Sequence, residues 1–198
     1  MPEEMLTPEK ILDAAVEVLR RYGPVKTTVV DVARSLAVSH GSVYRHFASK
    51  AALRDAVVER WLAEVTTPLA AIAEEQGPAP ERLQHWLETL VTIKQRRAVT
   101  DPELFATYLV LAEEARTVVV AHVATLVAQL TRIVSDGVAQ GVFVTDDPRT
   151  TARAIFDATN RFHKPSHAAE WSDPGIDDAF AAVCTLILRG LGTSTKEP

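Results

Sequence analysis

"KTTVVDVARSLAVSHGSVYRHFASKAAL", Lys26–Leu53, is the stretch that decides the fold. Thr27 and Thr28 are natural N-caps, because a hydroxyl oxygen accepts from the free amides of a first helical turn. Asp31 completes a Thr-x-x-acid box. A short helix therefore opens here, with Val29 or Val30, Val32, Ala33 and Leu36 as its inner face. Ser39 caps a second short helix. Val38 before it and Val43 within it form a hydrophobic staple, and Val43 and Phe47 share one face. Ser49 caps a third helix that begins at Lys50, so a cation and several free backbone N–H groups meet at one helix start, an arrangement suited to phosphate.

His40, Gly41, Ser42, Tyr44, Arg45 and His46 occupy the circumference that Val43 and Phe47 leave. A solvated surface helix would carry Lys, Glu and Gln in i,i+4 charge pairs instead. Gly41 is a poor helix former whose missing side chain lets a partner come close to the backbone. Two short helices joined by a tight turn, the second presenting donors, describe a helix-turn-helix built to read a DNA major groove.

The charge pattern agrees. The 198 residues carry a net charge of −5, yet residues 20–60 hold eight Lys or Arg against three Asp or Glu. A basic segment inside an acidic chain is the footprint of a part that meets a polyanion.

On these residues the chain resembles the TetR-type transcriptional repressors: the Thr-Thr opening, the V-S-x-G-x-x-Y-x-H-F core and the following x-x-K-x-x-L. The resemblance covers about the first 60 residues, and beyond them only the helical architecture and length agree. It implies that Thr27 or Thr28, Tyr44 and Lys50 hold phosphates, that His40, Gly41, Ser42 and Arg45 face bases, and that His46 supports the helix or reaches the backbone. Ser39, at the cap, completes the DNA-binding set. Ala37 departs from the pattern, standing where the family commonly has glycine. If that position needs positive φ, alanine costs on the order of 1 kcal/mol.

Elsewhere the periodicity is helical and no period-two alternation demands a strand, so the chain reads as all-α, with about nine helices. Residues 1–50 form the helix-turn-helix domain and 51–198 a larger helical domain for ligand binding and dimerisation. Pro8 opens the first helix and Gly23-Pro24 stops it. The helix from Lys50 runs to about Glu75 with a kink at Pro68, and "QGPAP" ends it. Further helices follow from about Pro80 to Arg97, from Pro102, from about Ala115 to Gln140, from about Pro148 to Phe162 and from Ile176 to Leu191. The last is apolar almost all round, which calls for cover on both sides and hence a second copy of the chain. Ala152, Ile155, Phe156, Thr159, Phe180, Val183, Cys184, Ile187 and Leu191 are the candidate dimer residues. The TetR resemblance likewise implies a dimer through the last two long helices. A two-fold dimer would place two recognition helices one duplex turn apart, about 34 Å, and call for a palindromic operator.

A regulator needs an input. His85, Trp86, Phe105, Tyr108, His122, His163 and Trp171 could line an apolar pocket with a few polar points for a small-molecule effector that moves the helix shared by both regions. His163 and His167 lie four apart, but Pro165 between them breaks the helix a shared metal would need, so no metal site is expected. Cys184 sits in "AAVCTLILRG" with nothing to activate it. No phosphate loop, nucleophile elbow, H-E-x-x-H pair or paired Cys-x-x-Cys occurs, so no enzyme or cofactor is expected. The chain has one cysteine, an acidic N-terminus and no unbroken apolar run of about 18 residues. It therefore reads as a cytoplasmic protein with no membrane partner. The other reading is a helical dimer whose DNA module is vestigial and which acts through protein partners.

Overall fold

The computed structural model describes residues 5–192. Among the described residues there are ten α-helices, one 3-10 helix and no strand. They are α1 (Pro8–Lys26), α2 (Val29–Ser35), α3 (His40–Tyr44), α4 (Lys50–Glu74), α5 (Ala79–Thr100), α6 (Pro102–Glu114), α7 (Arg116–Ala139), α8 (Pro148–Ala158), α9 (Asn160–His163), a 3-10 helix (Pro165–Glu170) and α10 (Ile176–Leu191). The helix expected over 148–162 is thus two. Thr159 turns its hydroxyl back onto the Ile155 and Phe156 carbonyls, at 3.0 and 3.1 Å, and the helix breaks there.

Two compact units emerge. The first comprises Met1–Ala63 and Asp101–Val120, the second Glu64–Thr100 and Ala121–Pro198. In the first, α1 begins at Pro8, with Thr7 accepting from the Lys10 amide at 3.3 Å. Gly23, at φ +72°, kinks α1 instead of stopping it, and a last turn resumes through Lys26. The core of this unit gathers Ile11, Leu19, Val32, Val43, Val58 and Leu62 with Tyr108 and Leu111 of α6. Trp61 stacks on Tyr108 with ring centres 4.7 Å apart. Arg60 pairs with Asp13 at 2.7 Å, Arg20 with Asp101 at 2.7 Å, and Arg54 binds both Glu114 and the Pro24 carbonyl.

The second unit is built on α5 and α7. Leu83, Trp86, Leu87 and Leu90 of α5 meet Leu126, Leu130, Ile133 and Val134 of α7, joined by Val65, Leu69 and Ile72 of α4. Pro68 lies inside α4 without ending it. By length and composition α7 could cross a membrane, with mean hydropathy 1.6 over its most apolar stretch. Its apolar stripe is spent on this core. After α7 the chain turns back so closely that a Cβ on Gly137 would meet the Phe143 ring at 2.0 Å. Arg82, itself buried, donates to the Ile72 carbonyl at 3.4 Å and the Ala73 carbonyl at 2.5 Å, and pairs with Asp136 at 2.8 Å.

Candidate nucleic-acid interface

The helix-turn-helix is assembled from local bonds that the sequence prescribes. Thr28, not Thr27, caps α2. Its hydroxyl oxygen accepts from the Asp31 amide at 3.2 Å and the Asp31 carboxylate accepts from the Thr28 amide at 3.0 Å. Hydrogen bonds from the Thr28 hydroxyl and amide hold the Asp31 carboxyl below its ordinary range, helped by the charges of Arg34 and Lys50. Thr27 is buried, and its hydroxyl donates to the Gly23 carbonyl at 2.7 Å, so it has no free group for a phosphate. Of the pair, Thr28 is the exposed one.

The turn ends α2 in a Schellman motif. The Val38 amide donates to the Ala33 carbonyl at 3.0 Å and the Ala37 amide to the Arg34 carbonyl at 3.1 Å. Such a closure needs a left-handed residue after the cap, and Ala37 supplies it at φ +55°, the one non-glycine in that region among the described residues. Ser39 then caps α3 by accepting from the Ser42 amide at 3.1 Å. Its hydroxyl also lies 2.9 Å from that of Ser42, which accepts from Arg45 at 3.0 Å. These bonds hold Arg45 over the helix face before any partner arrives. His40 and Tyr44 meet edge to face, ring centres 6.2 Å apart.

Val43 is fully buried, whereas His40, Gly41, Tyr44, Arg45 and His46 are exposed and Ser42 half-buried, so α3 turns its donors outward. Ser49 accepts from the Ala52 amide at 3.0 Å and caps α4. Thr28 and Lys50 line one narrow cleft, which brings the starts of α2 and α4 together.

The pocket residues expected from the sequence do not share one unit. Phe105 and Tyr108 belong to the first unit, where Tyr108 is core. Trp86, His122, His163 and Trp171 are buried in the second, and His85 is exposed there. Trp86 donates to Gln129 at 3.1 Å and Trp171 to the Arg161 carbonyl at 2.9 Å. A groove of about 500 Å³ on α1 and α2 contains none of the seven; Glu17, Arg20, Arg21, Asp31 and Arg34 give it a charged wall. Sequence reasoning missed Lys94, which is 8% exposed in the second unit. The signal was present, since Lys94 continues the Leu83, Leu87, Leu90 and Val91 stripe at three- and four-residue steps. His163 and His167 are occupied separately: His163 Nε2 bonds Thr159 and the Phe156 carbonyl, while His167 pairs with Glu170 at 2.6 Å.

Six of the nine candidate dimer residues are interior. Ala152, Ile155, Phe156, Thr159, Cys184 and Leu191 are buried in their own unit, and Phe180, Val183 and Ile187 are partly so. They face inward because α8 and α10 each turn their most apolar stripe to the core. The open face of α10 instead presents Leu186, which is 72% exposed, with Ala182 beside it. Burial raises the Cys184 thiol to about 11, which keeps it protonated.

Residues 11–57 match the family model described as bacterial regulatory proteins, tetR family, and residues 79–184 match that of the tetracyclin repressor-like C-terminal domain. The chain belongs to the TetR family. Among curated relatives, the HTH-type transcriptional repressor Rv3405c of Mycobacterium tuberculosis is 35% identical over 69 residues. Those residues make up 35% of this chain and 35% of the relative, so the match spans about a third of its length. The fold is shared along nearly the whole chain. SmeT, the repressor of the Stenotrophomonas maltophilia multidrug efflux pump SmeDEF, superposes with a TM-score of 0.70 at 18% identity, over 96% of this chain and 93% of its own. FadR from Bacillus subtilis, solved in complex with stearoyl-CoA, gives 0.67 at 18% identity, over 93% of this chain and all of its own.

Proposed function

We propose that this chain is a homodimeric repressor that binds a palindromic operator through α3 and is released when a small, largely apolar molecule occupies the second unit. The observation that carries the reading is the outward face of α3: Arg45 held in place by Ser42, His40 packed on Tyr44, and no side chain at Gly41. Arg45 and His40 meet base edges in this reading, while Tyr44, Thr28 and Lys50 hold the flanking phosphates. Dimerisation through α10 is supported by Leu186, a large apolar side chain 72% exposed on the open face of that helix. Binding of stearoyl-CoA by the FadR structure supports a ligand in the helical second unit. The link between ligand and DNA is α4, whose first residue is Lys50 and whose Leu69 and Ile72 belong to the core of the second unit.

Selection of duplexes from a random DNA pool at about 0.15 M salt, where non-specific binding is screened, tests this directly. Enrichment of a palindrome is the expected result. A folded, dimeric protein that enriches nothing would remove the operator-binding reading.

A further inference from the structure

The second unit contains a positive charge with no counter-charge. Lys94 on α5 is buried and, among the described residues, makes no hydrogen bond or ion pair. His122 on α7 is buried with both ring nitrogens unpartnered. His163 on α9 is the third member. Thr159 spends its hydroxyl hydrogen on a backbone carbonyl, so it accepts from His163 Nε2 at 3.2 Å, and the Phe156 carbonyl accepts from the same nitrogen at 3.3 Å. That nitrogen therefore carries the ring hydrogen and Nδ1 does not.

The three groups feel one another electrostatically. Burial pulls Lys94 down to about 8, with the neighbouring Arg97 adding a like charge. Burial, then Lys94 and His163, push His122 down to about 3. Burial sets His163 at about 4, opposed by its bond to Phe156. At neutral pH the cluster therefore holds one ammonium and two neutral imidazoles, a net charge of +1. Arg97 has its own acid in Glu64, and Asp157, which acts on His163, pairs with Arg153 at 2.8 Å. A buried, unpaired ammonium is costly unless something completes it.

We infer that Lys94 and His122, with His163 packed behind them as a neutral neighbour, form a seat for the carboxylate of an apolar monocarboxylic acid whose hydrocarbon body lies among Leu90, Val91 and Leu126. A carboxylate brings one negative charge and acceptor oxygens, matching the ammonium and the N–H of His122. A phosphate dianion would leave a charge uncompensated in a dry interior. Leu90 and Val91 lie four and three residues before Lys94 on α5, and Leu126 four after His122 on α7, so apolar surface adjoins the charged end. This inference rests on the second unit being the effector site, and it adds the chemical class of the effector.

The test uses two pairs of probes that share a shape but not a charge: octanoate with octanamide, and benzoate with benzamide, each titrated into the full chain while its thermal midpoint is followed. An acid should raise the midpoint and its amide should not. Lys94→Met, which removes the charge while keeping the length, should weaken the acid at least about tenfold, without lowering the midpoint of the free protein. Lys94→Arg should restore the preference for acid over amide and guards against a folding artefact. Equal responses to acid and amide, a full acid response in Lys94→Met, or no response of the natural protein to either acid would overturn the seat. Operator binding followed in the same samples separates the two proposals. Acid that binds through Lys94 without releasing DNA supports the seat and removes the release mechanism; release by acid and amide alike, unchanged in Lys94→Met, overturns the seat and leaves the mechanism standing.

Discussion

The Val38 amide reaches the Ala33 carbonyl at 3.0 Å only because Ala37, between them, is held at φ +55°. An L-residue with a Cβ pays about 1 kcal/mol for that conformation, and glycine does not. Ala37→Gly should therefore stabilise the protein by about 1 kcal/mol and raise its thermal midpoint by about 2–4 °C. An unchanged or lower midpoint in a thermal melt would show that the added freedom of the unfolded glycine cancels the relief.

Contacts to phosphates and contacts to bases separate by their salt and sequence dependence. Tyr44→Ala and Lys50→Ala should weaken binding to every duplex and lower the salt slope, whereas Arg45→Ala should change which duplex is preferred, by about 1–3 kcal/mol at one position. Titrations of selected and scrambled duplexes at several salt concentrations distinguish the two patterns. A uniform loss in Arg45→Ala would reassign it to the phosphates.

Leu186 and Cys184 lie two residues apart on α10 and have opposite environments, one 72% exposed and the other 6%. Leu186→Glu should dissociate the proposed dimer, seen as a halved mass in light scattering, with helical content retained. Cys184→Ser should lower the thermal midpoint by placing a hydroxyl in the core, while the mass stays unchanged. The reverse pattern would move the dimer surface elsewhere.

Acid should unfold the second unit through its histidines. His122 and His163 titrate near 3 and 4 when folded and near 6.5 when unfolded, so below pH 6.5 the unfolded chain binds the extra protons. Their neutral forms stabilise the fold fully above pH 6.5, and that stability drains as pH falls toward 4, by up to about 1.4 kcal/mol per pH unit for each ring. Urea melts between pH 4 and 7 should show this slope, and His122→Leu should remove about half of it. Lys94 acts at the other end: its folded value near 8 against an ordinary 10.5 makes stability rise from pH 8 to 10.5.

The helix-turn-helix was legible because its determinants are local: the Thr28 box, the Ser39 cap and the Val43–Phe47 face each join residues no more than four positions apart. Even the strain at Ala37 could be anticipated from one position. The all-α architecture followed from periodicity for the same reason. What the sequence hid depends on contacts between distant segments. Helical spacing shows that Ala152, Phe156 and Cys184 are apolar but not whether their own unit or a second copy covers them. The break at Thr159 is a hydroxyl choosing the backbone over the helix, and the same residue type elsewhere stays helical: Thr131 bonds the Val127 carbonyl within an unbroken α7. Lys94 stands in "IKQRR" among other charges, and only its place on the Leu83–Val91 stripe marks it as interior. Nothing in "GVFV" reveals that the Phe143 ring folds back onto Gly137.

Arg82 reaches carbonyls only nine and ten residues behind it in the chain, closing the corner where α4 gives way to α5. Loops that short cost little entropy to close, and contacts near in sequence form early when a chain folds. The corner is thus a natural starting point from which the second unit can grow, with Asp136, 54 residues away, joining the same guanidinium later.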